Sequence, residues 1–267
     1  MSVKHFVSKN TLITGRDVRR ACRGGEWHVP TAGLAPGFAQ ANLVIVPQAF
    51  AADFRLFCER NPQPCPVLEI TDPGDPVPHT SAPGADLRTD LPRYRVWEHG
   101  VVIDEPTQVA DRWRDDLVSF LIGCSFTFDD ALLKAGLPVR HVEQNCNVPM
   151  YRTNIACREA GAFRGPLVVS MRPFAADEVR RADELTARFT RFHGRPVQIG
   201  DPSRIGIADL QTPDFGDVVT MQAGEIPVFW ACGVTPQCAL IEARLPFAIT
   251  HCPGHMFVTD RANNELM

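Results

Sequence analysis

The stretch from Ile226 to His255 constrains the fold more than any other. Val228 to Cys232 is a short apolar run that suits a strand buried on both faces. Gly233 breaks it, and Thr235-Pro236-Gln237 then carries a helix start, with a hydroxyl N-cap and proline at the first helical position. That helix must end before Pro246, and Phe247 to Thr250 reads as the next strand, running out into His251-Cys252-Pro253-Gly254-His255. Two strand ends and a helix start therefore converge on two imidazoles, a thiol, a hydroxyl and an amide. In open α/β sheets ligands sit beyond strand ends, and helix N-termini attract anions. This stretch is expected to floor the active site.

The upstream pattern repeats the strand–helix–strand theme. Thr14 and Asp17 make a capping box for a short helix ending at Gly24. Leu43 to Val46 is a strand, and Phe50, Phe54 and Phe57 at i, i+4 and i+7 mark the helix after it. Val67 to Thr71 is a second strand. The proline-dense loop 72–84 follows, then a hairpin around His99-Gly100. The apolar spacing from Thr107 to Phe120 predicts a helix, and Thr127 with Asp130 predicts a capping box for the next one. The fold class is α/β. A larger three-layer α/β domain (1–144 and 218–267) is expected to hold an inserted smaller two-layer α/β subdomain (145–217).

Composition narrows the function classes. With a net charge of −4, nothing points to nucleic acid or an anionic membrane as a partner. No apolar run approaches the roughly 18 residues a membrane span needs. Nine cysteines, odd in number and without a C-x-x-C pair, argue for reduced thiols and a cytoplasmic location. Oligomeric state is open, a homodimer being one option.

Candidate chemistry lies in a handful of residues. His251 and His255 suit acid–base work near neutral pH, with Cys252 between them and Glu143 as a carboxylate to fix a tautomer. Arg152, with Asn154 beside it, suits a bidentate clamp on a substrate carboxylate. Cys124 and Ser125 sit at a helix break that leaves N–H groups free, as does the Thr235-Pro236-Gln237 start. Gln40 and Asn42 follow a glycine-rich stretch that lacks phosphate-loop spacing, and they can offer amides to a carboxylate. A rival reading makes His251, Cys252 and His255 metal ligands, with His141, Glu143 or Asp260 completing the set. Pro253-Gly254 turns the chain between the two histidines, so they need not share a helix face, and no metal or cofactor is assigned. A third reading is a non-catalytic module that binds a small carboxylate.

Five strings resemble the hydro-lyase family that includes D-glutamate cyclase: Thr31–Leu43, Phe120–Phe126, Met150–Asn154, Gly165–Pro173 and His251–Asp260. The resemblance covers nearly the whole chain. It implies a two-domain α/β fold and a reaction that removes water from a small amino- or hydroxy-dicarboxylate, which for the cyclase means closing D-glutamate to 5-oxo-D-proline. On this view one of His251 and His255 takes the ammonium proton while the other protonates the leaving oxygen, and Arg152 closes over the substrate. Two such imidazoles would give a bell-shaped pH–rate profile.

Overall fold

The computed structural model describes residues 8–265. Its spine is β1 (Phe38–Pro47), whose residues alternate between two apolar environments. Val44 and Val46 face one core cluster, whereas Ala41, Leu43 and Ile45 face another. A strand with apolar residues on both faces must be covered on both sides.

Around it, a seven-stranded sheet runs in the order β2 (Val67–Ile70), β5 (Leu117–Gly123), β1, β10 (Ala248–His251), β3 (Tyr94–Glu98), β4 (Val101–Asp104), and β11 (Phe257–Ala262) also pairs with β1. A second sheet orders β6 (Met150–Ala156), β7 (Pro166–Phe174), β9 (Ile226–Ala231) and β8 (Gln198–Ile199). The described strand pairs are antiparallel, so the strand–helix–strand units do not form parallel crossovers.

One shared core joins the sheets. Phe120 and Ile122 of the first meet Val169, Met171 and Phe229 of the second, with Phe54 and Phe57 of α2 (Gln48–Arg60) in the same cluster. The far face of the second sheet is covered by α3 (Phe126–Lys134) and α5 (Val179–Thr186), which pack Phe128, Leu132 and Ala182 around Trp230. The far face of the first sheet is covered instead by the proline-dense loop and the turns that follow it, through Ala82, Ala85, Leu87 and Leu91. The α/β class stands. Strand β9, beyond residue 217, pairs with β7 over six positions, so the second sheet draws on residues outside 145–217.

The capping box of α1 (Gly15–Arg23) forms as read, with Thr14 and Asp17 each bonding the other's backbone N–H. Two expectations fail. No α-helix forms over 107–120: there is only a 3-10 turn at Ala110–Arg112, and residues 117–123 are a strand because Val118, Phe120 and Ile122 fill one core while Leu117 and Leu121 fill the other. With both faces apolar, the period of two is hidden and the helical spacing is coincidental. The Thr127–Asp130 box does not form either: α3 already starts at Phe126, and the Thr127 hydroxyl accepts from the Gln40 N–H at 3.0 Å.

Candidate active site

Strands β10 and β11 lie end to end along the same edge of β1. Thr250 pairs with Val44 and Phe257 with Ala41, so seven steps on this edge oppose three on β1, a surplus of four residues. The chain therefore leaves the sheet at Cys252-Pro253-Gly254-His255 and returns, an extreme relative of a β-bulge. Gly254 makes this possible with φ of +84°. A Cβ there would meet the Asn147 side chain at 2.4–2.6 Å. That amide donates to the Pro253 carbonyl at 3.1 Å and pins the excursion in place.

The excursion borders a cleft of about 410 Å³ lined by Arg93, Arg95, Glu105, Asn147, Cys252 and His255. Residues 214–217, including Asp214 and Phe215, also line it. Its size falls within the range of ligand pockets. Arg93 and Arg95 are two apart at the start of β3 and so share a face. The Cys252 N–H donates to the Arg93 carbonyl at 3.0 Å, which ties the excursion to that strand. Arg95 Nε is 2.8 Å from Glu105, and its Nη1 donates to Gln237 Oε1 at 3.3 Å. Gln237 in turn donates to the His251 carbonyl at 2.9 Å. Helix α6 (Thr235–Ala243) thus braces both the guanidinium and the end of β10.

His255 is partly exposed. Its Nδ1 lies 3.0 Å from the Pro253 carbonyl, which can only accept, so the neutral ring carries its proton on Nδ1 and keeps a lone pair on Nε2. Burial, with help from Arg93 and Arg95, holds its pKa below the usual 6.5. It is a neutral base at neutral pH. Cys252 is a different case: its thiol donates to the Tyr94 carbonyl, and burial pushes its pKa up to about 12. It stays a thiol and makes a poor nucleophile.

The other expected residues lie elsewhere. His251 is fully buried, with Nδ1 3.1 Å from both the amide nitrogen and the carbonyl oxygen of Leu43 and Nε2 without a partner. Burial lowers its pKa to about 3. It does not line the cleft. Glu143 is half-exposed and pairs with Arg140, so it does not fix the His255 tautomer; the Pro253 carbonyl does. Arg152 is half-exposed, 3.7 Å from Asp214 and 5.5 Å over the Phe215 ring, so it contacts two lining residues without lining the cleft itself. Asn154 lines a separate surface groove with Glu159 and Arg164.

Gln40 and Asn42 are buried and spend their amides on Thr31, Leu34, Ile122 and Gly123. Thr235 is the first residue of its helix, not its cap, and its hydroxyl donates to the Cys232 carbonyl. The Cys124 thiol is buried with a raised pKa. Ser125 accepts from Arg172, whose guanidinium is fully buried and forks onto Asp129 at 2.7 and 3.0 Å. His141 Nε2 lies 3.2 Å from the same carboxylate, off the hydrogen-bonding direction. Of these anion-holding candidates, Ser125 is thus part of a closed ion-pair network around Arg172 and Asp129. Among the described residues no three His, Cys, Asp or Glu side chains are grouped to hold a metal, and no helix is long and apolar enough to cross a membrane.

Arg93, Arg95 and Asn147 are not among the residues that the sequence singles out. Arginines spaced by two at the head of a strand were a usable signal, since they must share a face. Asn147 carried no local sign.

Fold and site together define an α/β protein of two antiparallel sheets with a cleft that joins two arginines to one neutral imidazole. The chain belongs to the D-glutamate cyclase family, whose model matches residues 118–260. It is 61% identical to a protein of Rubrobacter xylanophilus named "Putative hydro-lyase", over 93% of this chain and 96% of that one. Proteins of the same description from Bordetella pertussis and Geobacillus kaustophilus are 60% and 55% identical, over 94% and 95% of this chain and 91% and 97% of theirs.

Proposed function

We propose that this chain is a hydro-lyase that cyclises an amino-dicarboxylate, D-glutamate in the first instance, to 5-oxo-D-proline in the Arg93–Arg95–His255 cleft. One observation carries the reading: two guanidiniums and an imidazole with a free Nε2 line one pocket. Family membership supports the same chemistry. All nine cysteines are free thiols, which supports a reducing, cytoplasmic setting.

The reaction balances with one imidazole. His255 Nε2 takes a proton from the substrate ammonium and frees the amine. The nitrogen attacks the far carboxyl carbon, forming the C–N bond, while an arginine stabilises the tetrahedral oxyanion. His255 hands its proton to one carboxyl oxygen, then relays a second from nitrogen to the same oxygen. The C–O bond breaks, and that oxygen leaves as water with two of the three ammonium protons. The other arginine holds the second carboxylate, and Gln237 and Glu105 keep Arg95 aimed.

The test is incubation with D- and L-glutamate, aspartate and the matching hydroxy acids, read by mass spectrometry for loss of one water. Product from D-glutamate that disappears in folded His255→Ala and Arg95→Ala proteins is the expected result. Unchanged turnover in both variants refutes the assignment. Ligand-induced thermal stabilisation without turnover would favour a binding module instead.

A further inference from the structure

Helix α1 carries arginines at 16, 19, 20 and 23, the i, i+3, i+4, i+7 spacing that gathers side chains on one helix face. All four line a cleft of about 380 Å³ that Pro83-Gly84-Ala85, Asp90 and Asp260 help to enclose. It shares no lining residue with the His255 cleft.

Two of the arginines are spoken for. Arg19 is buried, donates to the Val258 carbonyl at 2.6 Å and sits 2.8–2.9 Å from both Asp260 oxygens. Arg23 forks onto Asp90 at 2.7 and 2.6 Å. Arg16 and Arg20 make no hydrogen bond or ion pair among the described residues. Four cations against two carboxylates leave the cleft at +2, within a chain whose net charge is −4.

We propose that this cleft binds a small molecule through a phosphate or diphosphate group, with Arg16 and Arg20 as its unpaired ligands. Residues four apart on a helix stand about 5–6 Å apart, so one compact dianion can bridge both guanidiniums. A phosphate carries about −1.5 to −2 at neutral pH in a single group, and the guanidinium fork matches its oxygens. A dicarboxylate must spread the same charge over two ends. The cleft is concave and small, and the overall negative charge opposes an extended polyanion such as nucleic acid.

Isothermal titration of the full chain with inorganic pyrophosphate at low salt tests this. One equivalent should bind, and affinity should fall on the order of ten-fold in R16A and further in R16A/R20A. Both residues are exposed, so an unchanged melting temperature reports that the double variant is folded. Three results would overturn the proposal: no binding to the native chain, unchanged affinity in R16A/R20A, or loss of binding in Arg95→Ala instead. Glutarate binding as tightly as pyrophosphate at this cleft would overturn the phosphate assignment.

Discussion

Gly254→Ala and Gly136→Ala form a matched pair that tests how the excursion at residues 252–255 is held. Both glycines sit at positive φ, +84° and +73°. An L-residue there costs about 1–2 kcal/mol from the backbone alone. At Gly136, past the end of α3, an added Cβ meets nothing within 4 Å, so the backbone cost is the whole cost. At Gly254 the same Cβ lands 2.4–2.6 Å from the Asn147 amide, which must move and give up its bond to Pro253. A lost hydrogen bond costs ~0.5–1.5 kcal/mol and overpacking ~1–3 kcal/mol, so Gly254→Ala should be less stable than Gly136→Ala by roughly 2–4 kcal/mol. At roughly 2–4 °C per kcal/mol for a chain of this size, the melting temperatures should separate by about 4–16 °C. Differential scanning calorimetry measures the gap. In Gly254→Ala the carbonyl that fixes the His255 tautomer has also moved, so kcat/KM on D-glutamate should fall well beyond that of Gly136→Ala. Equal melting temperatures and equal kcat/KM would show that Asn147 yields freely and that the excursion is not pinned there.

Other outcomes follow from the same geometry. Because His255 titrates below the usual 6.5 and His251 stays neutral down to about 3, kcat/KM should be flat near neutral pH and fall only as the medium becomes acid through the His255 pKa. A second imidazole limb on the alkaline side of neutrality would contradict it. His251 and His193, whose pKa is lowered to about 4, are buried and neutral, and each takes a proton at about 6.5 once unfolded. Their contribution to stability is therefore complete above that pH and is lost as pH falls from there through 4 and toward 3, a slope that urea titrations at stepped pH will read and that His251→Asn should flatten. Arg95→Lys loses the fork that meets Glu105 and Gln237 and should raise KM roughly ten-fold, whereas Arg152→Lys, outside the cleft, should change KM by less than about two-fold. Equal effects would place Arg152 in the binding machinery after all.

Which parts of this were legible in the sequence depended on how far each signal reached along the chain. The α1 box, the phenylalanine stripe of α2, the His99-Gly100 turn and the strand–turn–helix from Ile226 to Ala243 are set by residues close to one another in sequence, and each element forms there, the last with its helix starting one residue early at Thr235. Residues 117–123 misled because burial on both faces erases the alternation that would have marked a strand. The site failed for a further reason. A motif names residue types, but a strand edge decides which of them reach a cleft. His251 is the last residue of β10 and is held by the Leu43 backbone, while His255 lies within a four-residue surplus whose existence is defined only by the register of β1 against β10 and β11. That register is a relation between residues about 210 apart, so no local pattern carries it. Arg93 and Arg95 enter on the neighbouring strand for the same reason: His251 pairs with Tyr94, and the next rung ties Cys252 to Arg93. Gln237 shows the converse. Its place at a helix start marks it as a ligand, and its amide instead joins Arg95 to the His251 carbonyl, so the helix start serves the cleft by aiming a guanidinium at it. The polar residue that the local pattern exposed and the charged residue that the register supplied act as one unit, and Gln237→Leu should therefore weaken binding in the direction of Arg95→Lys while leaving the acid limb of the pH profile where His255 puts it.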